Sequence, residues 1–177
     1  NDNEAPSVTL DNFSVSENAS SDTTLATASG LDPEGADVSY FLSGTGSDNF
    51  QIDSSGNITL SGNLDYETKQ SYELTIFVSD GQFTVPKTIT VTVTDTNEAP
   101  SVTSSVAFNS FLENTTVGTT IATSTGSDPE DDSIAYSLSG TGSDKFSVDA
   151  DGKVTLASAL DYETATSYAI NLNASDG

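Results

Sequence analysis

Cysteine, histidine and tryptophan are absent from this 177-residue chain, and only four lysines and arginines oppose 27 aspartates and glutamates. Each shortage excludes a class of chemistry. Without cysteine no disulfide staples the fold and no thiolate holds a metal. Without histidine or cysteine there is neither a Ser-His-Asp nor a Cys-His nucleophilic system, and the usual zinc ligands are missing. The scarcity of bases rules out a phosphate-binding surface, which needs clustered lysine and arginine, and the net charge of −23 repels nucleic acid and anionic membranes while attracting cations. No apolar run approaches the ~20 residues of a membrane helix. No signal peptide is present, and the abrupt start at Asn1 reads as a piece of something longer. No GxxxxGK[ST] loop offers a phosphate cradle.

A hydrophobic content of 34% with so much charge also fits disorder. Against that reading, the sequence repeats. Asn3-Glu4-Ala5-Pro6-Ser7-Val8-Thr9 returns as Asn97 to Thr103, Glu17-Asn18 as Glu113-Asn114, and Asp32-Pro33-Glu34 as Asp128-Pro129-Glu130. Leu42 to Asp48 is identical to Leu138 to Asp144, Leu64-Asp65-Tyr66-Glu67-Thr68 returns as Leu160 to Thr164, and Ser79-Asp80-Gly81 as Ser175-Asp176-Gly177. A spacing of about 95 residues is too long for a solenoid unit and matches a small domain. The expected boundary divides the chain into residues 1–96 and 97–177.

Within each repeat apolar residues alternate at period two: Val38, Tyr40 and Leu42; Phe50 and Ile52; Ile58 and Leu60; Tyr72, Leu74, Ile76 and Val78; Ile89, Val91 and Val93. Threonine fills the intervening positions of the last run, which suits an exposed strand face. Turn signals at Asp53 to Asn57 and at Asp80-Gly81 divide the runs. About seven short strands per repeat, apolar on one face, predict an all-β, two-sheet sandwich. The first repeat continues past Gly81 to Thr94 as one more alternating strand, whereas the second reaches only the matching Gly177. The second repeat is therefore expected to lack its last strand and to carry an unpaired edge.

The acids kept in register across both repeats fall at strand ends and loops: Glu17, Asp32, Glu34, Asp65, Glu67 and Asp80. Asp and Asn also make turns, but six positions in register argue for ligands. Hard oxygen donors of this kind are what Ca²⁺ takes, six to eight at a time, and sandwich loops gather at the two ends. Asp149-Ala150-Asp151-Gly152 begins like an EF-hand loop, but no acid closes it twelve positions on, so it reads as a hairpin turn. The Gly-Thr-Gly-Ser-Asp loop likewise reads as a turn.

The Glu-Asn pair, the Leu-Asp-x-Glu and Asp-x-acid motifs and the linker Asp95-Thr96-Asn97-Glu98-Ala99-Pro100, in this order, resemble the cadherin superfamily in the variant found in large bacterial surface adhesins. The resemblance covers both repeats. It implies tandem immunoglobulin-like, Greek-key β-sandwiches with up to three Ca²⁺ held jointly at the linker. Carried over by motif, the ligands are Glu17, Asp65 and Glu67 from the first repeat; Asp95, Asn97, Glu98 and the carbonyls of Thr96 and Ala99 from the linker; and Asp128, Glu130 and Asp176 from the second repeat. An upstream half-site would use Asn3, Glu4, Asp32, Glu34 and Asp80, with Asn1 standing where Asp95 has its counterpart. The far half-site would use Glu113, Asp161 and Glu163. Glu98-Ala99-Pro100 is one residue shorter than the usual linker ending, and Glu34 and Glu130 replace the more usual Asp, which favours at least two ions over a firm three.

The implied function is a Ca²⁺-stiffened, non-enzymatic extender or adhesive segment of a secreted or cell-surface protein. Its partners would be neighbouring repeats, a homophilic partner or surface glycans. The competing reading is a carbohydrate-binding module on a polysaccharide-degrading enzyme. That reading wants exposed aromatics, whereas most Tyr and Phe here fall on apolar-face positions.

Overall fold

The computed structural model describes residues 2–106 and 110–177, with only the backbone of Ser105. The chain forms two compact units, residues 1–96 and residues 97–177.

Unit 1 contains β1 (Ser7–Thr9), β2 (Phe13–Ser16), β3 (Ala26–Thr27), β4 (Ser29–Leu31), β5 (Ser39–Ser43), β6 (Phe50–Ile52), β7 (Asn57–Leu60), β8 (Ser71–Ser79) and β9 (Thr84–Thr94). One sheet has the order β2-β9-β8-β5, with β2 parallel to β9 and the other pairs antiparallel. The facing layer is β3-β7-β6 together with the β1-β4 pair. Strands distant in sequence are thus neighbours, as Greek-key connections require. The strand of residues 26–31 is interrupted at Ala28, whose N–H donates to the Gly56 carbonyl at 2.8 Å.

The period-two pattern decides which side of each strand is inside. Tyr72, Leu74, Ile76 and Val78 of β8 are no more than 7% exposed, and Ile89, Val91 and Val93 of β9 no more than 2%. They form one core with Phe50, Ile58 and Leu60 from the opposite layer. Burying each such side chain contributes about 1.5–3 kcal/mol before chain entropy is subtracted. Glu73, between Tyr72 and Leu74, is exposed as the alternation demands. Pro86 is tolerated because β2 pairs with β9 only from Val91 onward, so Pro86 lies on a stretch with one free edge.

Unit 2 contains β10 (Ser101–Val106), β11 (Thr120–Ser127), β12 (Ala135–Thr141), β13 (Phe146–Val148), β14 (Lys153–Leu156) and β15 (Ala169–Ser175). Its sheets are β10-β11-β14-β13 and β12-β15. Among the described residues no strand follows β15, and unit 2 has no counterpart of β9. Among its described residues the buried apolar core is Ile121, Val154 and Leu156, against which Leu138, Phe146, Ile170 and Leu172 pack half-buried.

The two hairpin turns share one construction. Asp53 Oδ1 accepts the N–H groups of Ser55 and Asn57, and Asp149 Oδ1 those of Asp151 and Lys153. The Asn57 side-chain amide and then its backbone N–H hold the Asp53 carboxyl below the ordinary carboxylate value. Asp149 therefore closes its own turn, as in a hairpin. The Gly-Thr-Gly-Ser-Asp loops are turns too, each leading through a left-handed Gly46 or Gly142 into a short 3₁₀ segment, Ser47–Asn49 or Ser143–Lys145. In the first hairpin Gly56 has φ +81° and faces the Ala28 carbonyl so closely that a Cβ would collide with it. Gly56→Ala should destabilise unit 1 by roughly 1–3 kcal/mol, read as a lower urea midpoint at unchanged slope. A midpoint equal to that of the unsubstituted chain would show that the turn relaxes freely.

Candidate metal centres

Two acidic groups lie at opposite ends of β8 in unit 1. Asp65 and Glu67 precede that strand and Asp80 follows it; nine residues of extended chain separate them by about 30 Å.

At the first end the chain leaves β2 at Ser16 and turns Glu17 inward, where it is 8% exposed. Its Oε2 accepts the Tyr66 N–H and its Oε1 the Thr96 N–H, both at 2.7 Å. One carboxylate thereby ties the Leu-Asp-x-Glu loop to the segment that follows β9. Carboxylate oxygens of Glu17, Glu67 and Asp95 all lie within 4.8 Å of one another. Like charges this close repel unless a cation lies near. Asp65 Oδ1 accepts the Thr68 N–H at 2.8 Å, which shapes the loop carrying Glu67.

At the other end Asp32 is 3% exposed. Its Oδ1 accepts the N–H groups of Glu34 and Ala36, both at 3.0 Å, while its buried Oδ2 has no hydrogen-bond partner. Glu34 Oε2 accepts the Glu4 N–H at 3.0 Å, so Glu4 is engaged through its backbone. Asn3 Nδ2 donates to Asp80 Oδ2 at 2.9 Å. The Phe83 N–H, then the Asn3 amide and the Gln82 N–H, hold the Asp80 carboxyl below its ordinary value. Asn1 lies outside the described residues.

Unit 2 rebuilds this second arrangement from its own residues. Asp128 Oδ1 accepts the N–H groups of Glu130 and Asp132 at 3.1 and 3.0 Å. Glu130 Oε2 accepts the Glu98 N–H at 3.2 Å, and Asn97 Nδ2 donates to Asp176 Oδ2 at 2.9 Å. Asp128 Oδ2 and Glu130 Oε1 are buried and unpartnered. At the other end of unit 2, oxygens of Glu113, Asp161 and Glu163 lie within 4.8 Å of one another. There Glu113 Oε2 accepts the Tyr162 N–H at 3.1 Å, the equivalent of the Glu17–Tyr66 bond. The Thr164 hydroxyl and then its N–H hold Asp161 below the ordinary carboxylate value.

A buried carboxylate oxygen without a donor is costly to maintain, and the described residues contain three: Asp32 Oδ2, Asp128 Oδ2 and Glu130 Oε1. A cation bound at these oxygens would remove the cost. The donor set is oxygen throughout, which suits a hard ion such as Ca²⁺. The residues present therefore fit the metal that the sequence suggests. Sequence reasoning did not find the double acceptor role of Glu17 or the Asp32 and Asp128 clasps. Their bonds go to backbone amides, which leave no mark on residue type.

The Cadherin domain family matches residues 11–96 and 109–177. The chain belongs to the cadherin family. It is 33% identical over 174 residues to the Drosophila melanogaster "Fat-like cadherin-related tumor suppressor homolog", spanning 95% of this chain and 4% of that protein. It is 34% identical over 175 residues to mouse "Cadherin-related family member 1", spanning 93% of this chain and 20% of that protein. The cadherin chain is thus a small fraction of the length of these relatives. Among solved structures, human protocadherin-24 EC1-2 superposes with a TM-score of 0.66 at 21% identity, covering 97% of this chain and 95% of that one, which supports the fold. These relatives are animal proteins, and none of them is a bacterial adhesin. Among the described residues no helix is long and apolar enough to cross a membrane.

Proposed function

We propose that the chain is a pair of cadherin repeats, residues 1–96 and 97–177, from an extracellular adhesion protein, and that Ca²⁺ bound at the repeat ends stiffens the array. Glu17, Asp65 and Glu67 would serve from the first repeat; Asp95, Asn97, Glu98 and the Thr96 and Ala99 carbonyls from the connecting segment; and Asp128, Glu130 and Asp176 from the second. Asn3, Glu4, Asp32, Glu34 and Asp80 would form the equivalent half-site upstream. Bound there, Ca²⁺ supplies charge compensation and directional coordination, with no bond made or broken, so the repeats are not enzymatic. Neighbouring repeats and a homophilic partner are the proposed contacts. The finer placement among bacterial surface adhesins rests on the sequence resemblance alone.

The observation that carries this reading is the pair of buried, donorless oxygens on Asp128 and Glu130, repeated at Asp32. It predicts a reversal of sign. Asp128→Asn keeps an oxygen for the Glu130 and Asp132 amides but replaces the unpartnered oxygen by an NH₂ donor. In chelator the variant should melt at the same temperature as the unsubstituted chain or higher. In saturating Ca²⁺ it should bind at least about tenfold more weakly, near 1.4 kcal/mol, and melt lower. A destabilisation of equal size in both buffers would mean that Asp128 is structural only, and would remove the metal reading's main support.

The carbohydrate-binding alternative draws on one outward-facing aromatic pair. Phe41, 45% exposed, stacks on Phe77 with ring centroids 5.2 Å apart and planes 8° from parallel. The corresponding positions of the second repeat are Ser137 and Asn173. The aromatic pair thus belongs to one repeat, whereas the acidic groups belong to both.

A further inference from the structure

Gly30 on β4 and Gly126 on β11 stand two residues before the buried Asp32 and Asp128. The Gly30 N–H donates to the Tyr40 hydroxyl at 2.8 Å, and the Gly126 N–H to the Tyr136 hydroxyl at 2.7 Å. Each bond joins two layers, because Tyr40 lies on β5 in the sheet β2-β9-β8-β5 and Tyr136 on β12 in the sheet β12-β15. Strand alternation accounts for an aromatic ring at these half-buried positions, but not for its hydroxyl. Glycine makes the room for that hydroxyl. A Cβ on Gly30 would stand 2.9 Å from Tyr40 Oη, and one on Gly126 would stand 2.5 Å from Tyr136 Oη. A second glycine, Gly56 or Gly152 of the hairpin turns, also closes on the ring, where a Cβ would stand 3.3 Å from a ring carbon. Both repeats therefore build the same phenol into the same backbone setting.

The partners of each phenol lead to the acidic residues of one candidate half-site. In the β5–β8 ladder Tyr40 lies opposite Val78, two residues before Asp80; in the β12–β15 ladder Tyr136 lies opposite Ala174, two residues before Asp176. One hydroxyl thus ties the strand end that presents Asp32 to the sheet that presents Asp80, and the other does the same for Asp128 and Asp176. Asp32 Oδ2 and Asp128 Oδ2 are buried without a hydrogen-bond partner, so each carboxylate would gain by moving out to water. The amides that hold their Oδ1 atoms belong to Glu34 and Ala36, or Glu130 and Asp132, and would travel with the same loop. The phenol bond is anchored in the opposite layer and does not travel. We propose that Tyr40 and Tyr136 are positioning residues for Ca²⁺, whose hydroxyls hold the strand ends so that the donorless oxygens of Asp32 and Asp128 are aimed before the ion arrives. This rests on the reading of those carboxylates as Ca²⁺ ligands. The hydroxyls are not ligands themselves and act through the strand.

The test uses the whole 177-residue chain and Ca²⁺ itself as the probe. Tyr136→Phe keeps the ring and removes one oxygen. Calorimetric titration should show Ca²⁺ binding weakened about three- to tenfold, the scale of one lost hydrogen bond. Tyr168→Phe is the control: it removes a phenol hydroxyl just ahead of β15, at the end opposite Asp176, and should leave the affinity unchanged. The melting temperature of Tyr136→Phe should fall further in saturating Ca²⁺ than in chelator, because only the first includes the lost affinity. Equal falls in both buffers with unchanged affinity would make Tyr136 structural only and overturn the proposal. If the unsubstituted chain binds no Ca²⁺, the ligand reading fails and the proposal with it; if it binds and Tyr136→Phe binds equally well, the positioning role alone fails. Amide exchange gives a second measurement. In chelator the Gly126 amide should exchange about tenfold more slowly in the unsubstituted chain than in Tyr136→Phe, and the Gly30 amide likewise against Tyr40→Phe. Protection that appears only when Ca²⁺ is added would mean that the ion positions the phenol, and would overturn the proposal.

Discussion

Chelating Ca²⁺ should lower the melting temperature of this chain by about 10 °C or more. An ion bound by the native state alone stabilises it by mass action, about 2.7 kcal/mol for one site at a hundred times its dissociation constant. In a domain of 60–100 residues each kcal/mol moves the midpoint by roughly 4–8 °C. The loss has a second source. Without the ion, the Glu17, Glu67 and Asp95 oxygens gathered within 4.8 Å, and the Glu113, Asp161 and Glu163 oxygens gathered likewise, repel one another. Unit 2 should show the larger shift, because fewer of its described apolar residues are buried to offset the loss. Calorimetric scans with millimolar Ca²⁺ and with chelator measure the effect. Coincident scans would mean that the clusters hold no ion, and Mg²⁺ in place of Ca²⁺ should restore little, since it demands a smaller, near-octahedral cage.

Much of this architecture is written locally. The run Tyr72, Leu74, Ile76, Val78 specifies both the existence of β8 and its buried face, because strand period and burial are tied at each residue. Asp53-Ser54-Ser55-Gly56-Asn57 specifies its hairpin, since the Asp carboxylate and a left-handed Gly act within five residues. The acids were legible as candidates because the internal repeat holds them in register. Non-local features were not legible. The parallel pairing of β2 with β9 joins residues nearly 80 positions apart, from Phe13↔Val91 to Ser16↔Thr94, and no residue type signals it. The break at Ala28 comes from the neighbouring hairpin, whose Gly56 carbonyl takes the Ala28 amide, and neither Gly nor Pro stands at that position or directly beside it. The inward turn of Glu17 depends on the Tyr66 and Thr96 amides, which meet it only after the sheets have closed. Phe41, Phe83 and Tyr162 are exceptions to the reading that most Tyr and Phe fall on the apolar face, being 45%, 45% and 64% exposed. Phe41 could have been recognised from its place between Tyr40 and Leu42, which claim the inner face.

If bound Ca²⁺ sets the joint between the repeats, the distribution of shapes in solution should depend on the ion. The connecting stretch Asp95 to Pro100 is short, and Pro100 restricts the residue before it to extended conformations. The proposed ligands of the joint include eight carboxylates, −8 against the +6 of three divalent ions. Filled, the proposed group would be nearly neutral and directionally coordinated. Emptied, it would repel itself, and the two repeats should sample many angles. Salt separates charge screening from coordination: at 1 M ionic strength the screening length falls to about 3 Å, but screening directs no bond. Small-angle X-ray scattering of the full chain should therefore give one narrow distribution of maximum dimension in Ca²⁺. In chelator the distribution should be broad, and in chelator with 1 M NaCl it should remain broad. If Ca²⁺ and chelator give the same distribution, or if NaCl alone restores the narrow one, the joint is not set by calcium.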